Sequence, residues 1–139
     1  MSGLEIERKF LVKKGDAYKS AAFSHSHIKQ GYIPADGATV RIRVRDDKAD
    51  QLLKLCKGGL IDKTRYLVKS GKHTFEVDEF YGDNAGLVMA EVELSDEAEA
   101  FDAPAFIGKE VTGDRRFYNS HLLTNPFCRW RDTLPTEYR

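Results

Sequence analysis

Cysteine is scarce in this chain: only Cys56 and Cys128 occur, far apart, with no His or Cys beside either at a zinc-ligand spacing. That argues against a disulfide scaffold and against a zinc site, and both are expected as reduced, buried thiols. Net charge is also missing, because 22 Lys and Arg balance 22 Asp and Glu. There is no basic excess to hold nucleic acid by its phosphates, and no acidic excess of the kind that keeps a tail unfolded. No apolar run approaches the roughly 20 residues of a membrane span, and a signal peptide's basic stretch and apolar core are not seen. The expectation is a soluble cytoplasmic protein with neither nucleic acid nor membrane as a partner. Internal repeats and low-complexity segments are absent too. At 139 residues the chain has room for one core and not two. A single domain is expected over residues 1–132. The tail 133–139, polar and broken by Pro135, is expected to be partly disordered or docked on the surface.

What the chain does have is charge arranged by period. Glu5 to Val12 reads as a strand, which puts Glu5, Glu7 and Lys9 on one face and Ile6 on the other. Thr39 to Arg45 alternates strictly, with Arg41, Arg43 and Arg45 opposite Val40, Ile42 and Val44. Further strands are expected over Ile28–Ile33, stopped by Pro34, and over Ile61–Val68, His73–Tyr81 and Gly86–Leu94. Turn chemistry at Asp36-Gly37, Ser70-Gly71 and Gly82-Asp83-Asn84 separates them. Helical signals are weaker. They fall on Asp16–Phe23 with Asp16 as N-cap, on Asp50–Lys57 before Gly58-Gly59, on the capping box Asp96–Glu99, and on Gly113–Leu123 before Asn125-Pro126.

Alternation alone fits an ordinary antiparallel sheet with one wet face. The charges, however, are sorted by strand. Acidic residues lie on the first strand, on His73–Tyr81 (Glu76, Asp78) and on Gly86–Leu94 (Glu91, Glu93), while basic residues lie on Thr39–Arg45 and on Ile61–Val68 (Lys63, Arg65). A solvated face needs no such sorting. If the sheet curls so that these charges face inward, acidic strands can hold a divalent cation while basic strands hold phosphate oxygens. Either cluster alone would be costly to enclose. His25, His27, His73 and His121 share no metal-ligand spacing, and Arg115 and Arg116 fit a solvated helix face as well as a phosphate contact.

The motif Glu5-Ile6-Glu7-Arg8-Lys9 resembles the E-x-E-x-K signature of the CYTH, or triphosphate tunnel metalloenzyme, family, in its short bacterial form. The likeness continues in order through Gln30-Gly31-Tyr32, Val40-Arg41-Ile42-Arg43, Lys63-Thr64-Arg65-Tyr66, Glu76-Val77-Asp78, Gly86-Leu87, Ala90–Leu94, Ile107–Thr112 and Tyr118-Asn119-Ser120. The resemblance implies an α+β fold, an antiparallel β-barrel tunnel with a charged lumen and flanking helices. It also implies metal-dependent hydrolysis of a linear triphosphate, inorganic tripolyphosphate or a small organic one, with Mg²⁺ or Mn²⁺ as cofactor. Glu5, Glu7, Glu91 and Glu93, with Asp78 nearby, would be the metal carboxylates; Lys9, Arg41, Arg43, Lys63 and Arg65 would grip the phosphates. Lys63 and Arg65, together with the metal-holding Glu5 and Glu7, form the expected catalytic set, with the lysine activating water. The partner is a small-molecule triphosphate, and the protein is a monomer or homodimer.

The chain departs from that family in one place. Members carry two further strands after the Arg-x-Arg strand, one with a T-x-K-G lysine and one with an E-x-E pair, whereas here Arg45 is followed at once by Asp46–Ala49 and the expected helix. A hairpin of the usual eight strands is therefore missing, either by deletion or because this chain omits a stretch of the natural protein. A narrowed or open barrel with an exposed edge is expected. Two alternatives to hydrolysis stand beside it: adenylate cyclase-type cyclisation of ATP, and a non-catalytic module that binds triphosphate or polyphosphate.

Overall fold

The computed structural model describes residues 5–35, 38–45 and 56–139. In chain order these form β1 (Ile6–Val12), α1 (Ala17–Ala21), β2 (Ala22–Ala35), β3 (Ala38–Arg45), β4 (Lys57–Ser70), β5 (His73–Phe80), β6 (Val88–Leu94), β7 (Ile107–Glu110) and α2 (Asn119–Thr124). The strands make one seven-stranded sheet in the order β3-β2-β4-β5-β6-β1-β7, with every pairing antiparallel. The sheet does not close into the expected barrel. Among the described residues β3 pairs only with β2 and β7 only with β1, so each leaves one edge without a partner strand.

Register explains why one face carries the charge. Lys9 lies opposite Glu91, Glu76 opposite Glu91, Arg65 opposite Asp78, Lys63 opposite Ile28 and Gln30 opposite Arg43. Opposed residues share a sheet face, so these side chains form one field across six strands. The other face is apolar: Phe10, Val12, Val68, Phe75, Val77, Ala90, Val92 and Leu94 pack there with Tyr18 of α1 and Phe106.

Toward one end the charged face itself turns apolar. Leu11, Ile61, Phe80 and Met89 continue the rows of Lys9, Lys63, Asp78 and Glu91, and they bury against Phe117, Leu122, Phe127, Trp130, Leu134 and Tyr138 from the last quarter of the chain. Trp130 meets Phe117 and Phe127 edge-on, with ring centroids 5.3 and 5.0 Å apart. The segment 133–139 is docked, with Leu134 and Tyr138 inside this cluster. Tyr138 Oη accepts a hydrogen bond from Lys109 N, and a Cβ on Gly108 would collide with the Tyr138 ring.

Several local expectations are corrected. β2 starts at Ala22, which is already extended at φ −72°, ψ 138°, so α1 stops before Phe23 and Asp16 caps it without a side-chain hydrogen bond. Pro34 lies within β2, one residue before its end. The expected helix over 50–57 lies outside the described residues except for its end, where Lys57 opens β4. Asp96–Glu99 forms a turn and no helix, because Glu99 accepts from Ser95 N and Oγ and from His73 Nε2 and so ties the segment back to β5. The Gly113–Leu123 helix is split: Asp114 caps a single turn at Arg115–Phe117, and Tyr118 is extended before α2. Both thiols are free, but neither is buried as expected: Cys56 is half-buried, and Cys128 is exposed because Phe127 takes the inward position in its turn.

Candidate active site

The charged face is not a wet one. Lys63 on β4 is 0% exposed and Asp78 on β5 is 6% exposed. Lys63 Nζ lies 2.9 Å from Asp78 Oδ2, while Arg65 holds the same carboxylate with Nε at 2.8 Å and Nη2 at 2.9 Å and reaches Glu76 Oε2 with Nη1 at 3.0 Å. Both Asp78 oxygens are thus taken by cations. Burial works against its charge, but Lys63 and Arg65 outweigh that and hold its pKa below the usual carboxylate value. For Arg65 burial likewise opposes the charge, and its bonds to Asp78 and the charges of Asp78, Glu76 and Glu91 win, so its pKa is raised.

Lys63 is the exception in this cluster. Burial lowers its pKa, Arg65 and Arg43 add to that, and Asp78, already shared with Arg65, only partly offsets it. Its Nζ also donates to Asn119 Oδ1 at 3.4 Å and lies 5.4 Å above the Phe80 ring. A lysine held in this way loses its proton more readily than one in water, the property a general base requires.

Carboxylates crowd the β1–β6 side. Glu7 faces Glu93, and Glu91 lies between Lys9 on β1 and Glu76 on β5. The pKa of Glu7 is raised by burial and by Glu91, and that of Glu93 by a shared hydrogen bond with Glu5, by burial and by Glu5 and Glu7. Lys9 Nζ is 3.5 Å from Glu91 and 4.6 Å above the Tyr118 ring. A cleft of about 350 Å³ opens beside them, lined by Glu7, Lys9, Thr112, Gly113 and Tyr118. Carboxylates that repel one another, offering only hard oxygen donors, suit a cation such as Mg²⁺ or Mn²⁺. They stand in pairs, and among the described residues no three acidic, His or Cys side chains converge as a metal cluster.

The basic edge is more open. Arg41 and Arg45 on β3 are exposed and Arg43 half-buried, its Nε donating to Gln30 Oε1 at 3.1 Å. Burial lowers the Arg43 pKa, and the charges of Arg65, Arg41 and Arg45 lower it further against the pull of Asp78. The structure therefore joins Lys63, Arg65 and Asp78 in one network, joins Glu5, Glu7, Glu91, Glu93 and Lys9 in another, and sets Arg41 at the rim. Arg116 turns away to Asp114 and Trp130. Three contributors had no assigned role in the sequence reading: Glu76, Asn119 and Tyr118. The alternation Glu76-Val77-Asp78 could have signalled the first, and the motif Tyr118-Asn119-Ser120 the other two.

A half-covered antiparallel sheet that sets paired carboxylates beside enclosed cations defines a class of protein built to handle polyanions. Comparison with known proteins makes this specific. The chain is 41% identical to the inorganic triphosphatase of Acetivibrio thermocellus over 157 positions, covering 94% of this chain and 99% of that protein. It is 31% identical to the inorganic triphosphatase of Nitrosomonas europaea, covering 85% and 95%. A crystal structure of an inorganic triphosphatase superposes with TM-score 0.65 at 28% identity, over 86% of this chain and 94% of that one. No protein-family model matches the chain. The chain belongs to the inorganic triphosphatase family. The alignment of 157 positions exceeds the 139 residues available, so the Acetivibrio relative carries residues with no counterpart here.

Proposed function

We propose that this protein hydrolyses a linear triphosphate, with inorganic tripolyphosphate the leading substrate, on the charged face of its sheet, as a cytoplasmic enzyme of the CYTH, or triphosphate tunnel, type. The observation that carries this reading is the Lys63–Asp78–Arg65 network. An enclosed lysine with a lowered pKa lies beside a permanently charged guanidinium. Family membership supports the same reading.

Lys9, Arg41, Arg43 and Arg65 would hold the phosphate oxygens, Arg65 by the same fork it turns on Asp78. Lys63, in its neutral form, would take the proton from an attacking water as that water's oxygen bonds to the terminal phosphorus, and would become an ammonium held by Asp78. The bridging P–O bond then breaks, and pyrophosphate leaves. Asp78 would keep the Lys63 and Arg65 side chains aimed, and Asn119 would steady the lysine. Glu5, Glu7, Glu91 and Glu93 would hold Mg²⁺ or Mn²⁺, which when bound neutralises charge on the phosphates. Such catalysis depends chiefly on positioning and electrostatics.

A second reading is a module that binds the triphosphate without turning it over, and the relative's extra residues favour it. The double substitution Glu5→Gln, Glu7→Gln separates the two. With Mg²⁺ or Mn²⁺ present, the wild-type chain should release phosphate from tripolyphosphate and the double variant should not. Full activity in the variant would remove these carboxylates from the site, and tight calorimetric binding without release by the wild type would establish the module.

A further inference from the structure

Gln30 is 0% exposed. It sits in β2 where the register against β4 shifts between Gln30 and Tyr32, an irregularity of the kind that re-aims a side chain. The outer side is tight: a Cβ on Gly31 would come within 2.8 Å of Cys56 Cβ and Leu60 Cδ2. Toward the charged face Gln30 Oε1 accepts from Arg43 Nε, which fixes the amide's orientation, because a guanidinium can only donate. Its Nε2 is then the free end. That atom is buried and has no hydrogen-bond partner among the described residues, a costly state for an amide.

Neither residue directly opposite Gln30, Arg43 on β3 or Ile61 on β4, offers Nε2 a side-chain acceptor. Ile28, two residues back along β2, lies opposite Lys63 on β4. Lys63 already meets Asp78 and Asn119, so the unmet donor is the amide N–H₂, which beside a guanidinium suits a ligand rich in acceptors.

We infer that Gln30 is a substrate-binding residue, its Nε2 donating to an oxygen of the phosphate chain between Arg43 and Lys63. The inference rests on the triphosphate reading above and adds to it a neutral, directional contact.

Two variants test it, by calorimetry of tripolyphosphate binding and by steady-state kinetics in Mg²⁺. Gln30→Glu keeps an acceptor for Arg43 but replaces the donor by an oxygen, whereas Gln30→Met loses both ends at similar length. The expected result is binding at least about tenfold weaker in Gln30→Glu, a smaller loss in Gln30→Met, and KM changed more than kcat. A residue that merely holds Arg43 gives the reverse order, with Gln30→Glu close to wild type and Gln30→Met worst. That order, or equal affinity in all three proteins, overturns the inference while leaving the triphosphate reading in place. A wild type that binds no tripolyphosphate overturns both. If Gln30→Glu does not fold, the thermal stabilisation given by tripolyphosphate decides the matter: it must be smaller in Gln30→Met than in wild type, and an equal gain overturns the inference.

Discussion

The two ends of the charged face solve the problem of crowded charge in opposite ways. At the Lys63–Asp78–Arg65 end the protein supplies both signs, and one carboxylate with two cations is enclosed almost without access to water. At the Glu5–Glu7–Glu91–Glu93 end it supplies mostly one sign, with Lys9 paired to Glu91, and burial together with the neighbouring carboxylates raises the pKa values of Glu7 and Glu93. The first end is finished as a piece of folded structure. The second is stable as a fold but electrostatically open, the state expected of a surface that meets a cation from solution.

The largest expected effect lies at the finished end. Lys63→Met should lower phosphate release from tripolyphosphate by at least about 100-fold, the scale of losing one group that acts on the reacting atoms. A variant within threefold of wild type would remove Lys63 from catalysis. Asp78→Asn should damage stability most, by about 3–5 kcal/mol in urea unfolding, because it leaves the enclosed Lys63 without a counter-charge and Arg65 with Glu76 alone. No measurable loss would mean that the pair is not enclosed in solution.

The pH dependence should separate the ends directly. Glu7 and Glu93 have pKa values raised above their ordinary 4.5. Folding therefore favours their protonated forms, and their contribution is complete below 4.5 and lost as pH rises through the raised values. Asp78, depressed below its ordinary 3.8, and Glu110, held near about 2 by Arg8 and Thr112, behave oppositely; their contributions are present above the ordinary values and lost as pH falls. Without added divalent metal, Tm should decline on both sides of the range near 4.5. Glu7→Gln with Glu93→Gln should flatten only the high-pH side, and an unchanged profile in that double variant would sever the carboxylates from this behaviour. The smallest effect belongs away from the site. Arg8 binds Glu110 with two hydrogen bonds of 2.9 and 2.6 Å, and because both side chains are partly exposed Arg8→Ala should cost about 1 kcal/mol or less, with phosphate release unchanged.

The charged face was legible in the sequence because strand alternation is local. Glu5, Glu7 and Lys9, or Arg41 and Arg43, share a face whatever the rest of the chain does. How those charges pair was not legible, since it depends on register between strands distant in sequence. Asp78 read as a companion of the metal carboxylates, yet β4–β5 pairing sets it against Arg65 and within reach of Lys63. The tail's polarity concealed Leu134 and Tyr138, whose burial needs the apolar end of the same face. The resemblance implied a barrel, and the missing hairpin a narrowed or open one with an exposed edge; the described strands form an open sheet in which no described strand pairs with the free edge of β3.

The most direct measurement is product analysis of tripolyphosphate incubated with the wild-type chain, with Mg²⁺ and with chelator. Orthophosphate and pyrophosphate should form in equal amounts, and only with the metal. Tripolyphosphate recovered intact from a protein that demonstrably binds it would mean that the charged face binds the triphosphate without cleaving it.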